Sequence, residues 1–213
     1  MDLPAIIPIF PLPNVVLFPD VPLPLHIFEP RYREMVRDAA NGHELIGMTL
    51  LRGEWRESYY DRPEIFEVGC AGRLVHVEPL PDGRSNILLH GLCEFVVRRD
   101  FDDKPYRTAE IEWWNRAPQT IPDELRLVLV ERIGRVLAVQ PDSPGHRLLR
   151  DASLADQKLV NFFSYVLDLP VLVKQALLQE RTLAGRARRL IEAIEFRVAE
   201  VDLGSVEGSD RRH

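Results

Sequence analysis

Cysteine, methionine and tryptophan are scarce in this chain: 213 residues include two, three and three of them. Cys70 and Cys93 supply neither a disulfide framework nor the four ligands of a zinc ribbon, and so low a cysteine content fits a reducing cytoplasm. An excess of positive charge is also missing. With 27 Lys and Arg against 33 Asp and Glu the net charge is -6, which opposes general affinity for nucleic acid or an anionic membrane, because an acidic surface releases no counterions from either. No apolar run approaches the roughly 20 residues that cross a bilayer. The opening MDLPAIIPIF has no basic n-region and interrupts its apolar residues with prolines, so it does not read as a signal peptide. The motifs GxxxxGK[ST], GxGxxG, GxSxG and HExxH do not occur, which removes the commonest nucleotide, hydrolase and zinc-protease readings.

Proline, by contrast, is concentrated. The stretch 7–32, IPIFPLPNVVLFPDVPLPLHIFEPRY, holds seven of the 17 prolines. Between them stand Ile7, Ile9, Phe10, Val15, Val16, Leu17, Phe18, Leu25, Ile27 and Phe28, side chains that require burial, whereas a ligand for a proline-binding groove has an open polar rhythm. A proline has no N–H for a sheet ladder, so these residues mark the ends, edges or turns of short strands at 5–10, 15–18 and 24–28.

Strand signals continue to about residue 115 and helical ones run from about 122 to 202, joined by WWNRAPQTIPDE. Within the first part, 29–40 reads as a helix with Pro30 in its first turn, Tyr32, Met35, Val36 and Ala39 on one face, and Asn41-Gly42 as its stop. ELIGMTLL reads as a buried strand and RGEWRESYYDRPE as a long loop. FEVGCAGRLVHVEPL and SNILLHGLCEFVVRRDF, separated by Pro81-Asp82-Gly83, form the pattern of an antiparallel hairpin, and PYRTAEIEWW adds a last strand pair. In the second part four helices are expected. The first runs from 122 to about 140 with Leu125, Leu129, Ile133, Val136 and Leu137 inward. The second follows a capping box formed by Ser153 and Asp156, the third is VLVKQALLQ, and the fourth spans 182–202 with Leu183, Ala187, Leu190, Ile194 and Val201 on one stripe.

Candidate chemistry is thin. His26 and Glu29 are three apart at a strand-to-helix boundary with no third ligand, and His76 and His90 read as structural too. Cys70 and Cys93 fall on neighbouring strands, where a redox pair is conceivable and buried thiols are the simpler reading. Ser143 and His146 are neighbours only within an interhelical loop. Arg186, Arg188 and Arg189 alternate with Glu192, Glu195 and Glu200, the pattern of a solvated face. Trp55, Tyr59, Tyr60, Trp113 and Trp114 could cover the ends of a barrel or form a contact surface.

The chain resembles the N-terminal substrate-binding domain of Lon proteases, in a stand-alone form. IPIFPLPNVVLFPDVPLPLHIFEPRYREMV is similar to the family's proline-flanked strand, FPG-like turn and following helix. GCAGRLVHVEPLPDGRSNILLHGLCEFVVRR and PYRTAEIEWW are similar to its central hairpin and closing strand, and KQALLQERTLAGRARRLIEAI to its last helices. Asp20 stands where the family's turn has glycine, Cys70 where a small hydroxyl residue is common, and Cys93-Glu94 departs from an acidic-then-basic pair.

The resemblance implies an α+β fold: a PUA-like, twisted antiparallel β-barrel subdomain with one helix over residues 1–117, a helical bundle over 118–203, and a disordered tail over 204–213. In the barrel the prolines set the corners. It implies a cytoplasmic, non-enzymatic module without cofactor or metal that binds unfolded or degron-bearing polypeptides, acting with a separate ATP-dependent protease as adaptor or regulator. The expected contacts are Val21, Pro22, Leu23, Trp55 and Tyr59. An RNA-binding or small-ligand PUA-like domain is the alternative reading; an enzyme with an unrecognised site and a purely structural subunit are the others.

Overall fold

The structure, a computed structural model, describes residues 3–57, 59–114, 117–138, 144–151 and 153–209, with no side chain described from residue 200 onward or at Pro144. The chain divides into two compact units, Met1–Arg116 and Ala117–His213.

The first unit contains strands β1 (Ile6–Leu12), β2 (Pro22–Ile27), β3 (Leu45–Leu50), β4 (Val68–Pro79), β5 (Ser85–Phe101) and β6 (Arg107–Trp113), and helix α1 (Pro30–Ala40) between β2 and β3. The sheet order is β2-β5-β4-β3-β1-β6, and β6 pairs back onto β5, so five strands close a ring and β2 extends from it. Closure depends on the 17-residue β5, whose register shifts near Val97 and opposite Ala71 and Leu74 on β4. Such bulges bend a strand, letting one half of β5 pair with β2 and the other with β6. One pairing departs from the antiparallel expectation: β1 runs parallel to β3, Ile9 opposite Gly47. A parallel pair needs a crossover, and the segment carrying β2 and α1 provides it.

Ile7, Ile9, Leu45, Ala71, Phe95, Ala109 and Ile111 fill the ring. Phe95 is fully buried and contributes about 2–3 kcal/mol of transfer free energy. The prolines take the positions their missing N–H permits. Val21 is bonded to β5 through Gly91 N–H, 2.9 Å from its carbonyl. The two-residue period of a strand then directs the N–H positions of 22 and 24 away from β5, and there Pro22 and Pro24 remove two donors from the outer edge of β2. The expected strand at 15–18 does not form. In that segment Val16, Leu17 and Phe18 are buried, so it contributes apolar volume without joining the ladder.

At the turn that follows, Asp20 has φ 64°, the left-handed region that favours the glycine of the family pattern. Its N–H donates to the Gly91 carbonyl at 2.9 Å. A Cβ on Gly91 would lie 1.9 Å from the Phe18 carbonyl oxygen. Helix α1 buries Tyr32, Met35, Val36 and Ala39, as its 3–4 spacing predicts, and ends at Asn41.

The second unit comprises α2 (Asp123–Leu137), α3 (Pro144–Leu149), α4 (Asp156–Val166), α5 (Val171–Gln179) and α6 (Leu183–Ser209). Helix α3 is additional to the four expected. Ser143, the end of the expected first helix near 140 and the final residues 210–213 of the expected tail lie outside the described residues, as does the side chain of Val201. Leu129 and Ile133 of α2, Leu159 and Phe163 of α4, and Leu183, Ala187, Leu190 and Ile194 of α6 are buried in this unit.

Two sequence expectations are corrected here. Ser153 does not cap α4: its hydroxyl and N–H bond Asp151, and the N-cap position is Ala155. Asp156 instead accepts from Ile121 N–H at 2.9 Å and from Arg126, tying the start of the unit to α4. Arg186 is not on a solvated face. Only 2% exposed, it donates to Asn161 Oδ1 at 2.5 Å and to the carbonyls of Leu178 and Glu180.

Candidate functional site

The five contact residues expected from the sequence do not form one surface. Val21 and Leu23 are 1% and 4% exposed. Val21, just before β2, and Leu23, on it, are both buried, so neither offers a side chain to a partner. Pro22, between them, is exposed on β2. Trp55 and Tyr59 do meet, ring centroids 6.0 Å apart, on the 52–64 loop, and Tyr59 packs edge-on against Tyr60 at 5.2 Å. Tyr59 is pinned: its hydroxyl donates to Glu29 at 2.8 Å while Arg31 donates to its carbonyl at 3.3 Å. Partial burial, then the bond to the Glu29 carboxylate, push the Tyr59 hydroxyl pKa up.

Beside this pin lies a hollow of about 310 Å³. Arg31 stands 4.6 Å from the Tyr32 ring and 5.2 Å from that of Tyr59, within the range of a cation–π contact. Arg107, on β6, donates to the Pro63 carbonyl at 2.9 Å and lies 3.3 Å from Asp100. Burial is the main effect lowering its pKa, and Asp100 works against it. On the far side Tyr106 donates to Asp38 at 2.7 Å, with Lys104 at 3.2 Å from the same oxygen. Those bonds, Tyr106 foremost, hold the Asp38 carboxyl below the usual carboxylate range.

The second unit carries a larger and far less polar groove of about 580 Å³ between α5 and α6. Leu169 and Leu177 lie at its base, and Leu172 and Phe196 on its sides are 62% and 67% exposed. Arg189, held by Glu180, and Arg197, held by Asp168, stand at its rim, both at 3.2 Å. Sequence reasoning did not select this groove. A signal existed in Phe196, an aromatic outside the 187–190–194 stripe and flanked by Glu195 and Arg197, where a helical wheel demands a polar residue.

His26, Glu29 and Cys93 have structural partners. His26 bonds Asn86 at 2.8 Å and stacks on Phe28, while Glu29 serves Arg31 and Tyr59, so the two do not converge on an ion. No group of three or more His, Cys, Asp or Glu side chains suited to a metal occurs among the described residues. Cys70 lies opposite Glu94, and Cys93 opposite Ala71. The Cys93 thiol points to the Trp114 carbonyl at 3.3 Å. No described helix is long and apolar enough to cross a membrane.

Comparison with known proteins places this architecture. The chain is 28% identical to a Lon protease of Flavobacterium johnsoniae over 207 residues, covering 95% of this chain and 25% of that protein. It is 31% identical over 147 residues to Lon protease 2 of Sorangium cellulosum, covering 65% and 17%. The chain thus spans about a quarter or less of the length of these curated relatives. Among solved structures it superimposes on a Lon N-terminal domain protein from Xanthomonas campestris with TM-score 0.63 at 24% identity, covering 88% of this chain and 97% of that one. The N-terminal domain of a Mycobacterium avium complex Lon protease gives TM-score 0.70 at 15% identity, covering 89% and 98%. The family model of the ATP-dependent protease La (LON) substrate-binding domain matches residues 6–195, reaching across the first unit and most of the second, and the chain belongs to that family.

Proposed function

We propose that this chain is a non-catalytic module that captures unfolded or degron-bearing polypeptides by shallow apolar contact. The observation that carries this reading is the α5–α6 groove, where Leu172 and Phe196 are left open to solvent beside a leucine floor. An apolar surface of this kind separates unfolded chains, which expose apolar segments, from folded ones, which bury them. Covering each of the two side chains contributes about 1.5–3 kcal/mol, and a disordered client loses conformational freedom on capture. The net affinity is therefore weak and tolerant of sequence. Pro22 and Trp55 are further candidate contacts; Val21 and Leu23, being core, are not.

The whole-length relatives carry the name Lon protease, and the role we propose here is that of adaptor or regulator beside a separate ATP-dependent protease, in the cytoplasm. Fluorescence anisotropy with a labelled, permanently unfolded reporter polypeptide tests the binding step. Apolar capture changes little between low and high salt, whereas binding of single-stranded RNA through phosphates falls steeply. Indifference to every unfolded reporter, together with salt-sensitive RNA binding, would transfer the function to the RNA reading.

A further inference from the structure

We infer that the hollow bounded by segments 59–63 and 102–107 of the first unit binds a small ligand bearing one oxyanion, a carboxylate or a phosphate, on an aromatic or apolar body. This site is independent of the α5–α6 groove, and neither the family match nor the polypeptide reading requires it.

The cations there outnumber the carboxylates that hold them. Asp100 is the only carboxylate within 4.0 Å of either Arg62 or Arg107 among the described residues. It lies 3.3 Å from Arg107, whose side chain is 9% exposed, and 3.9 Å from Arg62. The second separation exceeds hydrogen-bond length. Arg62 also donates to the Phe101 carbonyl, and its side chain is 39% exposed. Its guanidinium fork is thus only partly used, in a place where a buried neighbouring charge strengthens the local field. A planar fork of this kind matches the two oxygens of a carboxylate or phosphate.

The ligand's body has its own surface. Tyr60 is 84% exposed and held edge-on against Tyr59, with Arg31 at 5.9 Å from its ring. A tyrosine face left open beside cations is a stacking platform for an aromatic or apolar group. The volume of about 310 Å³ stands at the lower end of the range for small-ligand sites, roughly 300–1,000 Å³. Asp61 and Asp102 also line the hollow and are exposed. They repel a polyanion, so the arrangement selects a single charged group rather than a nucleic acid backbone.

Isothermal titration with benzoate, phenyl phosphate and the neutral benzyl alcohol tests the assignment on the full chain. At least one of the two anions saturates the protein and binds about tenfold or more tightly than the alcohol; which anion is preferred identifies the oxyanion. Arg62→Gln reduces that affinity by about tenfold, and Tyr60→Ala reduces it while circular dichroism confirms that both variants fold. Reporter-polypeptide binding stays unchanged in both. Equal affinity for the alcohol, no binding by either anion at millimolar concentration, or wild-type affinity in both variants would overturn the proposal.

Discussion

At Gly91 the absence of a side chain is enforced by the backbone, since a Cβ would stand 1.9 Å from the Phe18 carbonyl oxygen. Neither β5 nor the 18–21 segment can yield without breaking the bonds that Gly91 makes to Asp20 and Val21. Gly91→Ala therefore destabilises the chain by about 3 kcal/mol, seen as a lower urea midpoint. Arg186 is the other residue whose cost is disproportionate. Its removal takes the donor from the buried Asn161 Oδ1 and Leu178 carbonyl and from the half-buried Glu180 carbonyl, so Arg186→Ala costs about 2–4 kcal/mol. Exposed Arg188→Ala stays within about 0.5 kcal/mol, as surface substitutions do. The sequence places both arginines on one charged helix and cannot distinguish them. What does so is Asn161, 25 residues earlier, and a contact at that separation leaves no local pattern. Val21 and Leu23 fail as contact residues for a related reason: a proline-punctuated apolar run is equally compatible with an exposed turn and a buried strand, and only pairing with β5 decides.

Elements were legible wherever a period repeated. Helix α1, strands β3 to β5 and their Pro81-Asp82-Gly83 turn, and the apolar stripe of α6 follow from spacing and turn chemistry, because those signals are contained within the element. Signals that depend on a partner were misread. A Ser and an Asp three residues apart have the form of a capping box, yet Asp156 is recruited by Ile121 and Arg126 from outside the helix. Paired substitutions separate the readings. Asp156→Ala lowers stability by about 1–2 kcal/mol by orphaning the Ile121 N–H and removing the carboxylate partner of Arg126, which keeps its bond to the Leu154 carbonyl. Ser153→Ala changes it by less than about 0.5 kcal/mol, both read from thermal unfolding. Two similar losses would restore the capping box. The parallel β1–β3 pairing was hidden likewise, since strand direction is set by the crossover through α1 and not by either strand's composition.

At the scale of the units, the first carries a tyrosine and arginine hollow and the second an apolar groove, two concave surfaces of distinct chemistry. Family membership could be approached from the sequence, because apolar runs, turns and helical stripes accumulate over nearly 200 residues. The groove could not, since it exists only where α5 and α6 leave Leu172 and Phe196 uncovered. The most direct measurement titrates an unfolded reporter polypeptide against wild type, Phe196→Asp and, as a control at another exposed apolar position, Leu92→Asp. A carboxylate at the groove must be desolvated on client docking, so Phe196→Asp weakens binding by about tenfold or more, while Leu92→Asp binds as wild type. Undiminished capture by folded Phe196→Asp protein would contradict the account.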